Sequence, residues 1–76
     1  MMPTREQLLA LASYNCRVQE LIHDGYRKVF SYAVAGLYCS RLVHGNGNRV
    51  FVRYSEDDGI MFQTTNGKEV FRDKVL

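Results

Sequence analysis

Residues 26–44 read YRKVFSYAVAGLYCSRLVH, and the way this stretch folds decides the architecture of the chain. Val29, Phe30, Ala33, Val34, Leu37, Tyr38 and Leu42 recur at steps of three and four, the spacing of one helix face. His44-Gly45 supplies a glycine stop, and Arg41 and His44 suit the negative end of a helix dipole. Gly36 argues the other way, because inside a helix it costs about 1 kcal/mol relative to alanine. The spacing predicts a helix over about 27–43. The competing reading stops that helix near Ala35 and begins a strand at Leu37.

On the N-terminal side, Thr4-Arg5-Glu6-Gln7 fits a capping box, in which the threonine hydroxyl and the glutamine side chain each satisfy the other's backbone N–H. Leu8, Leu11, Asn15, Val18 and Ile22, with Leu21 adjoining, then trace one face of a helix over about 5–23. Asp24-Gly25 ends it, with the glycine suited to a left-handed cap.

On the C-terminal side, Gly45-Asn46-Gly47-Asn48 is a flexible turn. Arg49–Tyr54 alternates and is rich in valine and phenylalanine, as a strand should be. Ser55–Gly59 is a turn and Ile60–Thr65 a second strand. Asn66-Gly67 is the strongest short hairpin signal, a type I′ turn, and Lys68–Arg72 pairs back as a third strand. The expected fold is therefore α+β: two N-terminal helices on one face of a three-stranded antiparallel meander, in one small domain spanning residues 1–76.

Turn lengths set an expected register. A two-residue turn at Asn66-Gly67 places Phe62 opposite Phe71, and a five-residue turn over Ser55–Gly59 places Tyr54 opposite Ile60. One face then collects Val50, Val52, Tyr54, Ile60, Phe62 and Phe71, the natural partner for the helices. The other collects Phe51, Arg53, Met61, Gln63, Val70 and Arg72. Phe51, Met61 and Val70 among polar neighbours mark a contact surface, with Arg53 and Arg72 at its rim, since arginine, methionine and aromatics are enriched in interfaces.

The 76 residues are 46% apolar and 24% charged, an ordinary globular mix. There is no tryptophan, so five tyrosines and four phenylalanines carry the aromatic packing. Two cysteines, Cys16 and Cys39, do not make a disulfide framework, which suits a reduced cytoplasmic setting. The run Leu8–Ala12 is too short for a signal peptide or a membrane span, and Glu6 sits where a signal's basic region belongs.

From Tyr26 to Arg53 there is no acidic residue, while Arg27, Lys28, Arg41, Arg49 and Arg53 give that stretch a charge of +5 in a chain of net charge +2. Such a patch favours anionic partners. If residues 27–43 are helical, however, Arg27 and Arg41 stand about 20 Å apart at 1.5 Å per residue. The pI of 8.7 also lies below the range usual for nucleic-acid modules.

Other chemistry is weaker. His44-Gly45-Asn46-Gly47-Asn48-Arg49 looks like a phosphate cradle, but anion loops feed the start of a helix, not a strand. Cys16, His23, Cys39 and His44 are the soft metal ligands, and their spacing lacks the tight pairs of a zinc site. Neither cysteine has a histidine in local reach as a base, and Glu56-Asp57-Asp58 lacks calcium-loop spacing. The sequence thus leads to a non-catalytic protein-interaction module without metal or cofactor, self-associating as a homodimer through Phe51, Arg53, Met61, Gln63, Val70 and Arg72. A small nucleic-acid-binding or transcription-regulating protein using Arg27, Lys28, Arg41, Arg49 and Arg53 is the alternative.

Overall fold

A computed structural model describes residues 4–75. One helix, α1 (Arg5–His23), precedes five strands: β1 (Tyr26–Val34), β2 (Leu37–His44), β3 (Arg49–Ser55), β4 (Ile60–Thr65) and β5 (Lys68–Lys74). The strands form one antiparallel meander in the order β1-β2-β3-β4-β5.

The expected second helix is a β-hairpin, so the architecture is one helix on a five-stranded sheet and not two helices on three strands. Its turn is Ala35-Gly36, with both residues at positive φ, 51° and 77°. That is the backbone of a type I′ turn, whose twist matches that of the flanking strands. Phe30, Tyr32 and Val34 alternate with the small Ser31 and Ala33, and aromatic or β-branched side chains fit a pleated surface better than a helix. The helical spacing was real but coincided with this two-residue alternation.

Helix α1 begins as its sequence demands. The Gln7 N–H donates to Thr4 Oγ1 at 3.1 Å and the Thr4 N–H to Gln7 Oε1 at 2.8 Å. It ends at Asp24, and Gly25 at φ 102° turns the chain directly into β1. The buried stripe is Ala10, Tyr14, Val18 and Leu21, so the expected face is rotated: Leu8 and Ile22 are exposed. Small Ala10 and the broad Tyr14 ring let the helix settle on Leu42, Val50, Val52, Tyr54 and Met61, which complete the core.

The register differs from expectation by one residue at β4. Ser55, not Tyr54, pairs with Ile60, leaving a four-residue connection over 56–59 closed by the Gly59 N–H donating to the Ser55 carbonyl at 2.8 Å. A one-residue slip exchanges the faces of a strand. Met61 and Gln63 therefore lie beneath the helix with Val50, Val52 and Tyr54, while Ile60 and Phe62 turn to the other face. Across Asn66-Gly67, Thr65 pairs with Lys68 as expected, but a register shift places Phe71 opposite Gln63 and Arg72 opposite Phe62. Val70 is the residue the shift leaves unpaired.

Among the described residues no helix is long and apolar enough to cross a membrane.

Candidate functional site

Helix α1 covers one face of the sheet, and among the described residues no element covers the other. Pairing fixes what that open face displays. One row runs Arg27, Val43, Arg49; the next Phe30, Arg41, Phe51, Thr64, Glu69; the next Tyr32, Cys39, Arg53, Phe62, Arg72; the last Val34, Leu37, Ser55, Ile60, Lys74. Arginines and aromatic rings thus alternate across neighbouring strands, which stand about 4.8 Å apart.

The side chains use that spacing. The Arg41 guanidinium lies 4.9 Å from the centroid of the Phe51 ring, and that of Arg72 4.9 Å from Phe62. Arg53 sits between the two rings, 5.5 Å from Phe51 and 5.8 Å from Phe62. Each contact falls within the ~6 Å range of a cation–π attraction. The rings of Phe51 and Phe62 are half-buried under these arginines, whereas Phe30 and Tyr32 are 58% and 43% exposed, their rings 5.9 Å apart. Phe30, Arg41, Phe51 and Arg53 with Tyr32 and Cys39 line an open depression of about 280 Å³.

Charge is segregated between the two sides of the molecule. By register the open face carries Arg27, Arg41, Arg49, Arg53, Arg72 and Lys74 against a single carboxylate, Glu69, a side-chain charge of +5. Glu69 accepts from Arg72 Nε at 2.8 Å. The remaining basic and acidic residues, on α1, the turns and the helix-side strand positions, total −3, which restores the net +2.

Of the residues expected at a partner surface, Phe51, Arg53 and Arg72 lie together on the open face. Met61 and Gln63 do not: they are 7% and 4% exposed beneath α1, where Gln63 accepts from Arg17 Nε at 2.8 Å. Val70 is exposed at the register shift on edge strand β5. Of the basic set, Arg27, Arg41, Arg49 and Arg53 share the open face, brought together because residues 27–43 form a hairpin and not a helix. Lys28 pairs with Leu42 of the core and falls on the helix side. Phe30, Tyr32 and Phe62 belong to the open face and were missed, the first two because they were read as helical and the third because of the β4 slip. The large-small alternation of residues 30–34 was the signal that could have exposed them.

The glycine-asparagine loop joins β2 to β3, so it feeds a strand and offers no helix start to an anion. It closes on itself instead: Asn46 N–H donates to His44 Nδ1 at 3.1 Å and Asn48 N–H to Asn46 Oδ1 at 2.9 Å. Cys16 is exposed on α1, Cys39 is buried, and both are free thiols. Among the described residues no three histidines, cysteines or carboxylates cluster as metal ligands. Comparison with known proteins finds no family model, curated sequence or solved structure that matches this chain.

Proposed function

We propose that this chain is a non-catalytic binding module that takes single-stranded nucleic acid on its open sheet face. The observation that carries the reading is the +5 charge of that face interleaved with aromatic rings, set against −3 on the rest of the molecule. Single-strand binders pair a basic surface that tracks phosphates with aromatic side chains on which bases stack. Here the two tasks divide between residues. Phe30 and Tyr32 offer accessible rings for bases. Phe51 and Phe62 lie within cation–π distance of Arg41, Arg53 and Arg72, which favours guanidinium positions close to the sheet and leaves their donors for phosphate. The depression is open to solvent, and a stacked base needs a platform and not an enclosure. Duplex reading is less suited, since a major groove about 12 Å wide admits a helix or a two-stranded ribbon and not the face of a five-stranded sheet.

Self-association face to face, the other use of this surface, would press +5 against +5 and is disfavoured by like-charge repulsion. An acidic protein partner is the second reading that the charge supports.

Fluorescence anisotropy with labelled single-stranded oligonucleotides tests the proposal. Binding should fall steeply with salt, with a log–log slope near −0.7 per phosphate neutralised. Arg53→Glu should abolish it and Phe30→Ala should weaken it. Equal binding to a non-aromatic polyanion such as heparin, unaffected by Phe30→Ala, would reduce the face to a plain cationic surface and refute base stacking.

A further inference from the structure

The sheet has two edges of opposite character. Strand β5 is blunted by Lys68, Glu69, Arg72, Asp73 and Lys74, charged side chains of the kind that discourage edge pairing. Strand β1 is not. It is the longest strand, nine residues, and all but its first residue are exposed. Val29, Phe30, Tyr32 and Val34 are each more than 40% exposed, with no charge after Lys28. A register shift at Val29 leaves Phe30–Val34 as an uninterrupted segment, paired to β2 on one side and with an unpaired row of backbone groups on the other.

The helix flank above this edge is apolar as well. Arg17 reaches Gln63 of β4 and lies 5.4 Å over Phe71 of β5, which fixes that flank of α1 toward the far edge. At 100° per residue, Leu8, Leu11 and Ile22 fall on the opposite flank, toward β1. Leu8 is 53% exposed and Ile22 36%. On the helix side of β1 itself stand the small, exposed Ser31 and Ala33. Charge is arranged lengthwise in a complementary way. Arg27 and Lys28 open the strand, while at its far end the Ala35-Gly36 turn is met by Glu56 of the β3–β4 connection, whose N–H donates to the Gly36 carbonyl at 2.9 Å.

We infer that a second copy of this chain pairs with β1 through the same strand, antiparallel about a two-fold axis perpendicular to the sheet, with Tyr32 at the axis. Antiparallel pairing about Tyr32 sets Lys28 of each strand opposite Gly36 of the other, the turn against which Glu56 lies. Parallel pairing would stack Arg27 and Lys28 on their own copies. A perpendicular axis preserves faces, so both helices lie on one side and the two five-stranded sheets join into one. The open faces become continuous, and a bound strand could cross from one copy to the other. The pairing itself is independent of the nucleic-acid reading, since it rests on the edge and not on the face.

Light scattering during gel filtration tests this, run over a wide concentration range and at two salt concentrations. A species of twice 8.8 kDa that dissociates on dilution is the expected result. The double variant Ser31→Lys/Ala33→Lys should be monomeric, whereas Arg53→Glu, on the open face, should still dimerise. Hydrogen exchange on the unmodified chain gives a second readout that does not depend on a variant folding: the amides of Ser31 and Ala33, which point away from β2, should be protected at high concentration and lose that protection on dilution. A mass of 8.8 kDa at every concentration, Ser31 and Ala33 amides unprotected at high concentration, or a dimer that survives the double lysine variant but not Arg53→Glu would each overturn the pairing.

Discussion

Arg53 and Phe62 face one another across β3 and β4, the guanidinium 5.8 Å from the ring centroid. The same guanidinium lies 5.5 Å from Phe51, so one cation is braced by two rings. Lysine keeps the charge but loses the planar fork that stacks. Arg53→Lys should therefore weaken single-strand binding roughly threefold to tenfold, in line with the ~0.5–1 kcal/mol of an exposed cation–π contact plus lost donors. Its unfolding midpoint should scarcely move. Anisotropy titrations beside thermal unfolding separate the two effects; an unchanged affinity would show that only the charge at this position matters.

Two core tyrosines should respond in opposite ways to loss of the hydroxyl. Tyr14 Oη and Ser40 Oγ share a buried hydrogen bond of 2.5 Å, joining α1 to β2. Tyr54, stacked on Tyr38 at 5.7 Å between centroids, is buried with a hydroxyl that has no partner among the described residues. Tyr14→Phe strands the serine hydroxyl and should cost about 1–2 kcal/mol, whereas Tyr54→Phe removes an unsatisfied group and should be neutral or stabilising. Urea denaturation of both variants checks the ordering, and a larger loss for Tyr54→Phe would contradict it.

The same cluster predicts alkaline sensitivity. Burial raises the Tyr14 and Tyr54 hydroxyls above the usual tyrosine value of 10.0, and the hydrogen bond donated to Glu56 raises Tyr38. In the unfolded chain these groups ionise at the ordinary value, so above it the unfolded state has released protons that the folded state retains. Stability is then complete below pH ~10 and declines as pH rises past it. Chemical denaturation across that range, followed together with tyrosinate absorbance, should show the midpoint falling. Replacing Tyr14 by phenylalanine should flatten the decline.

What the sequence revealed depended on whether local chemistry or tertiary context fixed the geometry. Helix α1 was legible at both ends because its signals are self-contained: Thr4 with Gln7, and Gly25 after Asp24. The hairpin at Asn66-Gly67 was legible because asparagine and glycine tolerate positive φ. The turn at Ala35-Gly36 has the same conformation but lacks that signature, so the apolar spacing around it passed for a helix. The site failed to emerge for the same reason. Arg27, Arg41 and Arg53 become neighbours only when the hairpin folds, and Phe62 turns outward only because the connection after Ser55 holds four residues and not five. One residue in a turn moves every side chain of the following strand.

Ala35 therefore marks a place where the chain departs from the best local choice, and a substitution can measure the departure. Alanine at φ 51° occupies the left-handed region, which costs an L-residue with a Cβ about 1 kcal/mol or more. Asn66, at φ 53° in the matching position of the β4–β5 hairpin, shows the residue that suits this backbone. Ala35→Asn should raise stability by about 0.5–1 kcal/mol, since the side chain is exposed and only the turn preference changes. The gain should appear as a higher urea midpoint at unchanged slope, with faster folding if the β1–β2 hairpin is part of the folding nucleus. A loss of stability would mean that residues 35 and 36 do not form the type I′ turn on which the five-stranded sheet and its open face depend.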